Sequence, residues 1–198
     1  MSQIKLLHSG GNGVILSAPD SNPASDRTLK LPGDADGTVD TLSRAGNILQ
    51  VKQTVKLDAF STTSTTAVDV TGLSVDITPT SSSNKVLVTV SIALSSNQSN
   101  NYTYGILKRG STQLAEASAA NNRLRPTFVA YNINEGSTEH RVFTFLDSPN
   151  TTSATTYKMQ VQCSSSGNAY VNRSHRDLDQ VSIDARTSST ITVMEVAA

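Results

Sequence analysis

The chain has 198 residues, a formal net charge of zero, 36% hydrophobic and 5% aromatic residues, and no Trp. That length admits one globular domain plus an extension. Balanced charge offers no basic field for a phosphate backbone, and no apolar run reaches the length of a membrane span, so neither nucleic acid nor membrane insertion is expected.

Ser and Thr together make up about a quarter of the chain, well above ordinary usage, while charged residues are only 16%. Chains that stay unfolded combine low apolar content with high charge. Only the first condition holds here. The expectation is a folded β protein that completes its core by associating with itself. Cys163 is the single cysteine, so no disulfide framework exists. The segment Met1–His8 is too poor in apolar residues for a secretory signal, which points to synthesis in a reducing host cytoplasm. A β module made there but built like an extracellular one is expected in a virion, released by lysis.

Residues 1–50 read as an extended arm. Val14-Ile15-Leu16 precedes Ala18-Pro19-Asp20-Ser21-Asn22-Pro23, and Thr28-Leu29-Lys30-Leu31 precedes Pro32-Gly33-Asp34. Turns are marked again at Asp36-Gly37 and Ala45-Gly46-Asn47. Pro and Gly at this density block helices and central strands. Each apolar piece is too small to offset the entropy of ordering its backbone. The arm is therefore expected to intertwine with copies of itself or to lie along another protein. The competing expectation is a flexible linker.

Residues 51–198 read as a head of alternating strands. Val51, Gln53, Val55 and Leu57 share one face of the first. Val68, Val70, Leu73, Val75 and Ile77 suggest a strand pair interrupted at Gly72. In Lys85–Leu94, Val86, Val88, Val90 and Ile92 alternate with Leu87, Thr89, Ser91 and Ala93, so both faces carry aliphatic side chains. One face can meet a core and the other a neighbouring subunit. Further strands are predicted at Tyr102–Lys108, Thr127–Ile133, His140–Leu146, Thr156–Cys163, Ala169–Asn172 and Ser189–Val196. Gln113–Ala120 is the one helix candidate, equally readable as strand and loop. Loops every eight to twelve residues or so fit a sandwich or barrel. The predicted fold class is all-β, a jelly-roll-like antiparallel sandwich head behind an extended arm.

Chemical motifs are sparse. Gly11-Asn12-Gly13 lacks the third Gly and the flanking strand and helix of a dinucleotide site. Ser82-Ser83-Asn84-Lys85 has a Ser-x-x-Lys spacing, expected by chance in a Ser-rich chain and placed in a turn. His175, Asp177 and Asp179 would share a face if extended and could hold a divalent ion, but Arg173 and Arg176 oppose a cation. The expectation is no metal and no cofactor. Glu116, Glu135, Glu139 and Glu195 could include a glycosidase carboxylate pair. Nothing in the sequence brings two of them across a groove, and no catalytic residue or enzyme activity is expected. The sequons at Asn97, Asn101, Asn150 and Asn172 carry little weight without a secretory signal.

Binding is the better candidate. Tyr102, Tyr104, Tyr131 and Tyr170 lie beside Asn/Ser-rich loops, and Tyr gives flat contact area at low entropy cost while Asn and Ser adapt their hydrogen bonds. These four are the candidate contacts with a host glycan or surface protein. Taken singly, each is first expected to fill a core short of aromatics.

The arm, with Asn12-Gly13, Leu16-Ser17-Ala18-Pro19 and Thr28-Leu29-Lys30-Leu31-Pro32, resembles the N-terminal repeats of phage tail fibre and related virion appendage proteins. The ending Ser188-Ser189-Thr190-Ile191-Thr192-Val193-Met194-Glu195-Val196 resembles the last strand of the heads they carry. Lys85–Leu94 followed by Gly105-Ile106-Leu107-Lys108-Arg109-Gly110 is similar to trimeric jelly-roll heads of the tumour-necrosis-factor and C1q type. The resemblance implies a homotrimer in a virion, attached through its arm to another virion protein, with the head towards the host. Ile4, Leu6, Val14 and Leu16 are then the candidate anchoring residues. A capsid decoration protein and a non-viral extracellular carbohydrate-binding module are the alternatives.

Overall fold

The computed structural model describes residues 3–7, 10–11, 13–17, 44–97, 101–132, 134–164, 167–180 and 183–198. The expectations for Ala18-Pro19, for Thr28–Pro32 and for the turns up to Asp36-Gly37 lie outside these residues. The chain divides into two units, Met1–Asp40 and Thr41–Ala198.

In the smaller unit, β1 (Gln3–Leu7) pairs antiparallel with β2 (Gly13–Ser17). The register sets Ile4 opposite Leu16 and Leu6 opposite Val14, so the four candidate anchoring residues are cross-strand partners. Gly11, at φ +92°, takes the left-handed turn conformation that glycine adopts at no steric cost.

The larger unit consists, among the described residues, of β3 (Ile48–Lys56), β4 (Phe60–Thr62), β5 (Val68–Ile77), β6 (Lys85–Ser96), β7 (Asn101–Arg109), β8 (Thr112–Gln113), β9 (Phe128–Asn132), β10 (Glu139–Asp147), β11 (Thr155–Cys163), β12 (Ala169–Val171) and β13 (Ser189–Val196). It is all-β, and every pairing is antiparallel. The Ala-rich stretch Gln113–Ala120 is not a helix: it leaves β8 at Gln113 and runs on as irregular chain. Ala115 there sits at φ 50°, outside the right-handed helical region.

The two sheets follow from the registers. In the first, Leu94 of β6 pairs with both Glu139 of β10 and Val171 of β12. β12 and β13 therefore lie end to end on one edge of β6, and β10 takes the other. β3 and β4 lie end to end beyond them, with β3 on β13 and β4 on β12. The second sheet runs β5-β11-β7, with β8 and β9 sharing the far edge of β7. With each end-to-end pair taken as one strand, the layers read first–eighth–third–sixth and second–seventh–fourth–fifth. That is the order of a jelly roll, in which successive strands alternate between layers except the fourth and fifth, which are neighbours in one, and the first and last strands pair.

Between the layers lie Val86, Val88, Val90 and Ile92 of β6 and Ile191 and Val193 of β13. Against them pack Leu73, Val75 and Ile77 of β5, Leu107 of β7, and Tyr157, Met159 and Val161 of β11. Each fully buried aliphatic side chain contributes about 1.5–3 kcal/mol relative to exposure. Around Gly72 the structure has one strand rather than the expected pair. Lys158 faces Ser74 while Gln160 faces Asp69, so residues 70–73 bulge opposite Met159. Gly72 takes φ +80° within the bulge, and the alternation restarts on the core face at Leu73.

Polar groups close the ends of the sandwich. Arg109 Nη1 donates to both carboxylate oxygens of Asp147 at 2.8 and 2.7 Å, and the Tyr157 hydroxyl donates to Asp147 at 2.6 Å. This joins β10 of one layer to β7 and β11 of the other. Burial, and then the Asp147 carboxylate, push the Tyr157 hydroxyl far above its usual titration range. Where the edge strand breaks between β3 and β4, Asn172 Nδ2 donates to the carbonyls of Lys56 and Asp58 at 2.9 and 3.0 Å. Its Oδ1 accepts from Ser189 Oγ at 2.5 Å.

Candidate functional site

Two outward sheet faces carry features that packing alone does not require. On the first sheet, the pleat sends Val51, Gln53 and Val55 of β3 outward, while Gln50, Lys52, Thr54 and Lys56 line up with the core-facing residues of β13. The strand is thus inverted relative to simple amphipathicity: Val51 and Val55 are exposed and Lys56 is only 2% exposed. Lys56 Nζ reaches Asp58 at 2.7 Å.

The registers build this face into cross-strand rows. Val51, Met194, Leu87 and Leu146 form one, Gln53, Thr192, Thr89 and Thr144 the next, and Val55, Thr190, Ser91 and Val142 the third. The middle row is hydrogen-bonded side to side, with Gln53 to Thr192 at 2.8 Å and Thr89 to Thr144 at 3.2 Å. None of these twelve side chains is charged. Lys85 and His140 mark the two ends of the face, beyond the rows. Val142 is 68% exposed and Leu146 49%. Uncharged side chains, six of them apolar, thus cover the face between Lys85 and His140.

The second face lies on the other layer. Tyr102 and Tyr104 stand two residues apart on β7, with ring centres 6.2 Å apart and planes 11° from parallel. Tyr131 of β9 lies opposite Tyr102, its ring centre 4.9 Å away. Tyr104 also has Gln162 of β11 beside it. From Tyr104 the surface dips into a cleft of about 350 Å³, floored by Tyr104, Ile106 and Gln162 and walled by the segment from Arg123 to Pro126 with Gln113 and Glu116. Glu116 and Arg125 form an ion pair at 2.6 Å in that wall. Gln113 Nε2 donates to the Arg125 carbonyl at 2.5 Å and holds the wall in place.

Three of the four candidate tyrosines are therefore brought together. Tyr170 is not among them: it is buried on β12, its hydroxyl 2.9 Å from His175 Nδ1 and its ring 4.6 Å beneath the Arg173 guanidinium. The His175–Asp179 stretch is built for salt bridges. Asp177 pairs with Arg186 at 2.7 Å and with Arg173 at 3.3 Å, and Arg176 reaches Asp184 at 3.0 Å. The Arg176 hydrogen bond outweighs desolvation and holds Asp184 down at about 2. Among the described residues no group of three His, Cys, Asp or Glu side chains could hold a metal ion.

The glutamates are dispersed. Glu116 faces the cleft wall and Glu139 pairs with Arg141. Glu195 is fully buried, accepting from Gln50 at 2.6 Å, Asn84 at 2.6 Å, and the Thr80 amide and hydroxyl at 2.7 and 2.8 Å. Desolvation raises its pKa, but these bonds, Gln50 and Asn84 foremost, outweigh it and leave the carboxyl at about 2. Cys163 is buried, its thiol 3.2 Å from the Ser64 carbonyl, and burial raises its pKa.

No family model matches the sequence, and no curated protein matches it. Among solved structures the chain is similar to that of the infectious bursal disease virus Gt strain, at 16% identity and a TM-score of 0.41, over 95% of this chain and 48% of that one. The VP2 subviral particle of infectious bursal disease virus matches at 14% identity and a TM-score of 0.38, over 93% and 50%. The chain thus spans about half the length of the viral chains to which it is similar.

Proposed function

We propose that this chain is a structural subunit of a virus particle, a phage tail or head appendage. In this reading it is a homotrimer, held to another virion protein through its arm and turned towards the host with its head. The observation that carries the reading is the uncharged outer face of the first sheet. Four strands about 4.8 Å apart, with three rows of side chains over some five residues of each, present roughly 350 Å² per copy. An uncharged patch of that size meets a neighbour without charge repulsion, and the Thr and Gln row can exchange hydrogen bonds with it. In a three-fold ring the contact is heterologous, the face of one copy meeting a different patch of the next.

The test is the mass of the full chain in solution by sedimentation, alone and with Val51→Glu and Leu146→Glu combined. The expected result is a trimer that the double variant dissociates. A wild-type monomer at micromolar concentration overturns the reading. Deletion of residues 1–40 should leave the trimer and abolish incorporation into particles. Normal incorporation of the deleted chain removes the arm's proposed role.

A further inference from the structure

We propose that the Tyr131–Tyr102–Tyr104 strip and the cleft beside it bind a saccharide chain. This rests on the host-facing part of the function proposed above and names its ligand class. The strip is on the layer opposite the uncharged face of the first sheet. Tyr102 is 42% exposed and Tyr131 37%, which costs apolar area that a merely structural strand would have hidden. Sugar rings present apolar C–H faces framed by hydroxyls, and exposed phenol rings match both parts of that surface.

The cleft supplies the directional half of the recognition. Its volume of about 350 Å³ lies in the range of small-ligand sites. Gln162 and Gln113 each offer a donor and an acceptor. The Glu116–Arg125 pair sets a carboxylate and a guanidinium side by side at 2.6 Å. Adjacent hydroxyls on a sugar can donate to the first and accept from the second in one step. The pair cancels its own charge, so its two groups address vicinal hydroxyls, and Arg123 adds a cation at the end of the same wall. At the other end of the same face, Lys158 and Gln160 hold Asp69 at 2.7 and 2.6 Å, with Lys108 close enough to act on the same carboxylate.

The experiment uses the labelled full chain on a printed array of neutral and acidic bacterial polysaccharides. Binding to at least one polysaccharide is expected, weakened roughly tenfold or more by Tyr104→Ala and by Glu116→Gln and unchanged by Tyr170→Phe. Periodate treatment of the bound polysaccharide, which cleaves vicinal diols, should abolish the signal. The proposal is overturned by an absence of polysaccharide ligands, by survival of binding after periodate, or by indifference to both cleft variants. Sedimentation of the same samples keeps the two readings apart. A trimer that binds no sugar refutes only this proposal, whereas a monomer that binds sugar refutes only the assembly reading. Circular dichroism melting of Tyr104→Ala and Glu116→Gln confirms that lost binding is not lost fold.

Discussion

Asn84 Nδ2 lies 2.6 Å from Glu195 Oε1, joining the turn before β6 to a fully buried carboxylate on the last strand. With Gln50 and Thr80 on the same carboxylate, one side chain ties the first and last strands of the head to the β5–β6 turn. The arrangement predicts an acid dependence with a definite sign. The folded carboxyl titrates at about 2 against an ordinary value of 4.5. Its contribution is therefore complete above pH 4.5 and is lost as pH falls from there towards 2. The linkage is on the order of 3 kcal/mol. Glu195→Gln should lower stability at pH 7 by about 2–3 kcal/mol and flatten the pH profile in that window. Denaturant melts at pH 7, 4 and 3 check this. Parallel profiles for the two proteins would assign the acid sensitivity to other groups.

A second prediction concerns Gly105, which pairs with Phe128 across β7 and β9. A Cβ built at Gly105 falls 2.1 Å from the Phe128 ring, with two further ring atoms at 2.6 and 2.7 Å. Backbone freedom is not the issue here; the ring already occupies the space. Gly105→Ala should cost about 1–3 kcal/mol, the usual range for overpacking. Phe128→Leu should recover part of that loss when combined with it. A thermal melt of the single and double variants reads the coupling directly, and strict additivity would refute the steric account.

The head's strands were largely legible because alternation survives wherever one face meets the core. Ser189–Val196 was predicted and found with the same bounds, since Ile191 and Val193 face in while Thr190, Thr192 and Met194 face out. β3 shows the limit of the method. Alternation located it but gave no sense of direction, and the aliphatic face at Val51 and Val55 points outward. Gln113–Ala120 reads equally as helix or as strand and loop, and the structure takes the second, because helix propensity is weak against the need to wrap a sheet edge. Tyr102 and Tyr104 share a face by spacing alone, but joining Tyr131 to them requires the β7–β9 register. The cleft wall was illegible: it depends on how residues 114–126, an irregular connection, fold back over β7. Asn172 reads as the end of a strand and as a sequon position, and neither reading shows that it is buried and spans the broken edge strand.

Asp147 provides the third prediction. Its carboxylate is shared by Arg109 and Tyr157, and it is 5% exposed. Tyr157→Phe removes one hydrogen bond to a charged acceptor while the Arg109 pair remains, at a cost of about 1.5–3 kcal/mol. Asp147→Ala strands the partly covered guanidinium and the buried hydroxyl together, so its cost should be larger, about 3–5 kcal/mol. Urea titrations give the order of the two. If Asp147→Ala proved the milder change, the carboxylate would not be the hub of this cluster.

Asn172 gives the last prediction, because two properties of the residue can be separated there. It sits at φ 65°, where a Cβ branch costs roughly 1 kcal/mol or more and glycine costs nothing. Its amide also makes three hydrogen bonds, two donated to the carbonyls of Lys56 and Asp58 and one accepted from Ser189. Asn172→Gly relieves the backbone but deletes all three bonds, leaving two buried carbonyls and a hydroxyl to find other partners. Asn172→Ala deletes the same bonds and keeps the backbone cost, without the local polar side chain that makes Asn tolerant of this conformation. Both variants should therefore be destabilised by about 2–3 kcal/mol, with Ala worse than Gly by about 1 kcal/mol. Thermal melts of the pair measure the difference. Equal losses would show that the backbone has relaxed out of the left-handed region and that the hydrogen bonds alone hold β3 to β4. Hydrogen exchange at Ala93, whose amide donates to Ser189 Oγ at 3.1 Å, follows the same break from the β6 side. Its protection should fall in both variants, because Ser189 loses the partner that orients its hydroxyl.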